Sequence, residues 1–169
     1  NSIPVIQFIN PTTLLKYFND NFSLSVNVQD NSFNYTNYSI TKDGVLIQSN
    51  STTLVTAKEH IWGDPVNVTQ NQDGTYNITV YATDVAGNGM NSSTLFVMDQ
   101  SNPTLTINYP AQGSYLNISQ VNFNWTATDN ISAIISCNLS VPTNTKTVSC
   151  TNSTNCNYTL SGFSEQLYD

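Results

Sequence analysis

Laid over itself at an offset of 99 residues, the chain matches without a gap: Pro4 falls on Pro103, Pro11 on Pro110, Asp30 on Asp129 and Asn31 on Asn130. The same offset places Phe22, Leu24, Val26 and Val28 over Val121, Phe123, Trp125 and Ala127. Apolar residues at every second position mark a strand with one buried face, because successive side chains of an extended backbone point to opposite sides. A chain that repeats in this way is expected to use one supersecondary plan twice. Trp125 is the expected core aromatic of the second copy.

In the first copy, Val5 to Ile9 reads as the opening strand, ended by Asn10-Pro11, and Phe22 to Val28 as the second. Tyr35 to Thr41 and Val45 to Ser49 flank Asp43-Gly44, a pair that tolerates the positive φ angles of a type I′ hairpin turn. Ser51 to Ala57 reads as a further strand, followed by an irregular piece, Lys58 to Pro65, that holds His60 and Trp62. Val66 to Thr69, Tyr76 to Thr83 and Ser93 to Met98 complete the set, and Leu14 to Phe18 is expected to form a brief helical turn. The second copy runs through Thr104 to Tyr109, Gln120 to Thr128, Ala133 to Val141, Lys146 to Cys150, Cys156 to Leu160 and Gly162 to Asp169. Between the copies, Asp99 to Pro103 is short and ends in proline, which predicts a stiff end-to-end rod.

The stretch from Asp73 to Asn88, DGTYNITVYATDVAGN, carries the clearest pattern: Tyr76, Ile78, Val80 and Ala82 on one face, Asn77, Thr79, Tyr81 and Thr83 on the other. It resembles the penultimate strand of an immunoglobulin-like or fibronectin type III-like sandwich. With the strand Ser93 to Met98 behind it, ATDVAGN is similar to the end of the tandem Ig-like repeats of bacterial and archaeal surface proteins. The resemblance implies an all-β chain of two tandem Ig-like Greek-key β-sandwiches, residues 1–100 and 101–169, the second incomplete at its C-terminal end. It also implies that Tyr76 hydrogen-bonds back across its corner, and that Ile78 stands where antibody domains carry a cysteine. Position 169 corresponds to Gln70, or to about Tyr76 if Tyr168 is its equivalent, and either way the last two strands of the plan have no counterpart. Trp125, Phe123 and Val121 are then expected to be partly uncovered. Either a continuation beyond Asp169 fills the gap or a strand is donated by a neighbouring copy, with Val5 to Ile9 as the candidate donor.

Only 9% of residues are charged and the net charge is −7, a surface that does not attract nucleic acid or anionic lipid. Solubility falls instead to Asn, Ser and Thr. Asn-X-Ser/Thr occurs at Asn21, Asn34, Asn37, Asn50, Asn67, Asn77, Asn91, Asn117, Asn124, Asn130, Asn138, Asn152 and Asn157. Asn67, Asn77, Asn124 and Asn138 each have an apolar residue on both sides, so the pleat that buries the neighbours turns the Asn to solvent. This register predicts a secreted, heavily N-glycosylated protein. Neither a secretory signal nor a membrane-spanning run is seen, so the chain reads as mature or excised. Of the three cysteines, Cys150 and Cys156 are expected to form a local disulfide, with Cys137 to Cys150 across a hairpin as the alternative. In either case one thiol is left over.

Signals for chemistry are sparse. A single His60 with no Cys near it in sequence does not make a catalytic pair, no two carboxylates stand in an apolar context, and no phosphate loop occurs. The linker resembles the inter-repeat joints of cadherin-like proteins, and the resemblance implies calcium held by Asp84, Asp99 and Asn102, although the cadherin DxNDN run is missing. Asx-turn and capping roles are the alternative. The expected function is a non-enzymatic structural subunit or repeat segment of an extracellular filament, surface layer or stalk. Its partners are other copies of itself, and it carries no cofactor beyond N-linked glycans. Two other readings stay open: an adhesin that binds cell-surface glycan or protein through Tyr17, Phe18 and Trp62, and an accessory segment of a larger secreted enzyme.

Overall fold

The computed structural model describes residues 2–12, 15–54, 58–67, 73–142 and 144–163, and every regular element among them is a strand. The chain divides into two compact units, Asn1–Gln100 and Ser101–Asp169.

The first unit contains β1 (Val5–Asn10), β2 (Lys16–Phe18), β3 (Phe22–Ser23), β4 (Ser25–Gln29), β5 (Phe33–Lys42), β6 (Val45–Thr53), β7 (Glu59–Trp62), β8 (Pro65–Val66), β9 (Gly74–Asp84) and β10 (Gly89–Met98). One sheet has the order β1-β4-β7, a second the order β2-β10-β9-β5-β6, and β3 pairs with β8. Both larger sheets feed one core. Phe8, Val26, Val28 and Trp62 come from the first, and Tyr38, Ile40, Tyr76, Ile78, Val80, Phe96 and Met98 from the second. Two sheets closing on one core are compatible with a β-sandwich. In β9 the alternation is complete: Tyr76, Ile78, Val80 and Ala82 are fully buried, while Asn77, Thr79 and Thr83 are half-buried and Tyr81 is exposed. Each such buried aliphatic or aromatic side chain contributes about 1.5–3 kcal/mol relative to exposure. At the β5–β6 turn, Asp43 and Gly44 both have positive φ, 50° and 79°, the geometry that a type I′ hairpin demands.

The second unit contains β11 (Thr104–Tyr109), β12 (Gln120–Thr128), β13 (Ile134–Val141), β14 (Asn144–Thr151) and β15 (Asn155–Ser161). Its sheets have the orders β11-β12-β15 and β13-β14. At the 99-residue offset the two orders correspond to β1-β4-β7 and β5-β6, the same pairings among these five strands, while β5 pairs with β9 as well. Irregularities recur as well. The register of β1 on β4 shifts between Phe8 and Asn10, and that of β11 on β12 between Ile107 and Tyr109. Asp30 accepts the backbone N–H of Ser32, and Asp129 those of Ile131 and Ser132.

Three local expectations are corrected. Lys58 to Pro65 is not irregular, since Glu59–Trp62 is strand β7, antiparallel to β4 with Trp62 opposite Val26. Lys16–Phe18 is a strand parallel to β10, not a helical turn, because Phe18 stacks on Phe22 and meets Phe96 edge-on; Leu14 lies outside the described residues. Val45–Thr53 is one continuous strand, whereas two were expected. Residues 55–57, 68–69 and 164–169 of the expected strands lie outside the described residues.

Candidate functional site

The second unit carries a cleft. Strand β11 alternates Leu105, Ile107 and Tyr109 on the face that, in the first unit, carries Ile6 and Phe8 into the core. Phe8 is 8% exposed, whereas Ile107, at the equivalent position, is 68% exposed. Below this open face lies a cleft of about 310 Å³. Its β12 wall is Phe123, Trp125 and Ala127, and its β13 wall is Ile135, Cys137 and Leu139. Among the described residues, none that lines it is charged. The expectation that Trp125, Phe123 and Val121 would be partly uncovered is corrected for Trp125 and Val121, which are buried, and holds for Phe123, which is half-buried; Leu105 and Ile107 of β11 are exposed. Trp125 is shielded because it packs against the cystine and Leu139.

Cys150 and Cys156 are joined by a disulfide with Cα atoms 5.5 Å apart. Cys137 is a free, half-buried thiol on the cleft wall. The alternative pairing of Cys137 with Cys150 is corrected by strand register, which sets Cys137 opposite Val148 and puts Ile135 opposite Cys150.

In the first unit several polar side chains are engaged with one another. Tyr38 donates its hydroxyl to Asp64 Oδ2 (2.8 Å) and accepts from Gln48 Nε2 (2.8 Å), while Asn50 Nδ2 also reaches Asp64. Burial, reinforced by the neighbouring Asp64 carboxylate, pushes the Tyr38 phenol up to about 12. No sequence pattern pointed to this network, whose members come from β5, β6 and the connection between β7 and β8. His60 sits edge-on to Trp62 at 4.4 Å, and burial lowers its pKa against the opposing pull of Asp64. Trp62 is itself buried, so it is withdrawn from any glycan-binding surface; Tyr17 is exposed and Phe18 is half-buried.

Asp84 accepts hydrogen bonds from Asn88 Nδ2 and from the backbone N–H groups of Ala86 and Asn88, which hold its carboxyl below the usual range. Both oxygens thus close its own turn, the Asx role weighed against calcium. Asp99 belongs to the first unit and Asn102 to the second. Among the described residues, no group of three or more His, Cys, Asp or Glu is arranged to hold a metal ion. Strand β1, the expected donor, is committed to its own sheet, with Val5 opposite Gln29 and Phe8 opposite Val26.

Every sequon asparagine is at least partly accessible. Asn21, Asn50, Asn67, Asn91, Asn117, Asn130, Asn138 and Asn157 are exposed, while Asn34, Asn37, Asn77, Asn124 and Asn152 are half-buried. Among the described residues, no helix is long and apolar enough to cross a membrane.

No family model matches the chain, and neither does any curated protein. Among solved structures it is similar to an engineered protein whose crystal structure was determined by the Northeast Structural Genomics Consortium, with 18% identity and a TM-score of 0.42. That similarity covers 56% of this chain and 20% of the engineered one, so the chain spans about a fifth of that protein's length.

Proposed function

We propose that this chain is a non-catalytic structural segment of an extracellular, N-glycosylated assembly of a filament, surface-layer or stalk type, built from two tandem Ig-like sandwiches, residues 1–100 and 101–169. The observation that carries the reading is the register of the sequons. Asn77 lies between buried Tyr76 and Ile78, and Asn138 is exposed between two half-buried cleft residues, so glycans attached there leave the core intact. A cystine agrees with an oxidising compartment. Tyr38 and Asp84, two groups of the first unit with perturbed titration, are engaged in a side-chain network and a turn, which supports a scaffold over an enzyme.

The test is the intact mass of protein isolated from its native source. Glycosylation gives a mass that peptide-N-glycosidase lowers by several glycans, with sequon asparagines of this segment converted to aspartate. A mass that the enzyme leaves unchanged removes the reading.

A further inference from the structure

Asn88-Gly89 is the only Asn-Gly pair in the sequence, and it lies outside every Asn-X-Ser/Thr sequon, so its amide is not a glycan acceptor. The pair is chemically labile. Glycine has no Cβ to shield its own nitrogen, so the Gly89 nitrogen is an open nucleophile for the side-chain amide that precedes it. Gly89 begins β10, faces Thr83 across the β9–β10 hairpin and is exposed to water.

Each member of the pair has a structural task. A Cβ at position 89 would stand 2.9 Å from the Tyr81 hydroxyl and 3.3 Å from its ring, so a larger residue displaces that side chain. Asn88 is gripped by Asp84. Its Nδ2 donates to Asp84 Oδ2 at 2.7 Å, its backbone N–H donates to Asp84 Oδ1 at 2.8 Å, and its C=O accepts the Asp84 N–H at 3.0 Å. Asp84 is 1% exposed and accepts the Ala86 N–H as well. The next residue, Val85, donates its N–H to the Ser32 carbonyl and so ties the turn to the connection between β4 and β5.

This clamp opposes cyclisation in two ways. Asn88 Cγ has to meet the Gly89 nitrogen, and one carboxylate holds both the side-chain amide and the main chain of residue 88. Cyclisation also develops negative charge on the Gly89 nitrogen and on Asn88 Oδ1, beside an Asp84 carboxylate that its hydrogen bonds keep ionised.

We propose that Asn88 is a deamidation site that Asp84 holds shut, and that its conversion, once the turn has opened, keeps the turn from closing again. The Gly89 nitrogen loses its proton and bonds to Asn88 Cγ, the Cγ–Nδ2 bond breaks, and Nδ2 leaves as ammonia. Water then opens the succinimide at either carbonyl and leaves aspartate or isoaspartate. The sum is amide plus water to carboxylate plus ammonium. The Nδ2 donor is lost, and a second carboxylate stands against Asp84 where a hydrogen bond had been. Like charges at that separation repel, so the modified turn is held open.

The test ages the full 169-residue chain, produced without glycans, in mildly alkaline heavy-oxygen water. Aspartate and isoaspartate at each asparagine are then located by tandem mass spectrometry. In urea, Asn88 is expected to convert faster than any other asparagine. In the folded chain its rate is expected to be at least ~10-fold lower than in urea, the weight of one charge-assisted hydrogen bond in an equilibrium. D84A is expected to raise the folded rate towards that in urea and to leave the rate in urea unchanged. A second measurement holds even where D84A does not fold. N88D, which writes the product directly, is expected to speed hydrogen exchange at the Ala86 amide by ~10-fold or more. D84N/N88D keeps one amide and one carboxylate and is expected to exchange more slowly than N88D. The proposal is overturned by an Asn88 that another asparagine outpaces in urea, by equal folded and urea rates in the unaltered chain, or by a folded D84A that converts no faster. Unchanged exchange in N88D overturns it as well, as does D84N/N88D exchanging as fast as N88D.

Discussion

Phe8 and Ile107 occupy the same place in the two copies, and truncating each to alanine separates a closed core from an open one. Phe8 is 8% exposed and belongs to a core drawn from two sheets. Removing a buried phenylalanine side chain costs roughly 3–5 kcal/mol, since lost transfer energy and the cavity add. Ile107 is 68% exposed, so about a third of its side chain is out of water. With full burial worth about 1.5–3 kcal/mol, I107A should cost about 0.5–1 kcal/mol. Each unit holds one tryptophan, Trp62 or Trp125, so W125F reports the first unit and W62F the second in urea unfolding followed by fluorescence. For a urea m-value of about 1–3 kcal/mol/M, F8A moves the midpoint of the first unit by roughly 2 M and I107A moves that of the second by roughly 0.5 M or less. Equal shifts would show that the apolar face of β11 is covered, and the reasoning about the cleft would be wrong.

Acid should destabilise the first unit in two stages. Burial lowers the His60 pKa, and hydrogen bonds from Gln29 and Asn27 lower that of Glu59, as those from Asn88 and its neighbours lower that of Asp84. Each folded value lies below the unfolded one, so the unfolded chain binds more protons and stability is lost as pH falls. The His60 stage begins below ~6.5 and the carboxylate stage below ~4. Melting temperature read through Trp62 is expected to drop from pH 7 to 5 and again towards pH 3, with the first drop missing in H60Q; a flat profile would contradict the assignment. In the second unit, reducing the Cys150–Cys156 bridge, which closes a short loop, should lower stability by roughly 2 kcal/mol. Peptide mapping of the unreduced protein should find alkylation at Cys137 alone, and label on Cys150 or Cys156 would contradict the bridge.

What the sequence determined by itself was local and periodic. Alternation at Tyr76, Ile78, Val80 and Ala82 specified a strand and its buried face, because the pleat has a period of two whatever the strand pairs with. Asp43-Gly44 specified its turn through the backbone angles it tolerates, and the 99-residue offset carried strand order from one unit to the other, down to the register shift after Phe8 and Ile107. The tertiary structure decided which edges meet. Lys16–Phe18 is a strand because β10 offers it a parallel edge and Phe22 a ring to stack on, neither of which its own few residues encode. Trp62 is buried because β7 pairs with β4, although its flanks read as loop. The openness of the cleft is of the same kind. Leu105 and Ile107 carry the same alternation as Ile6 and Phe8, and what sets their exposure is whether a hairpin lies over them, a long-range pairing that strand period does not specify.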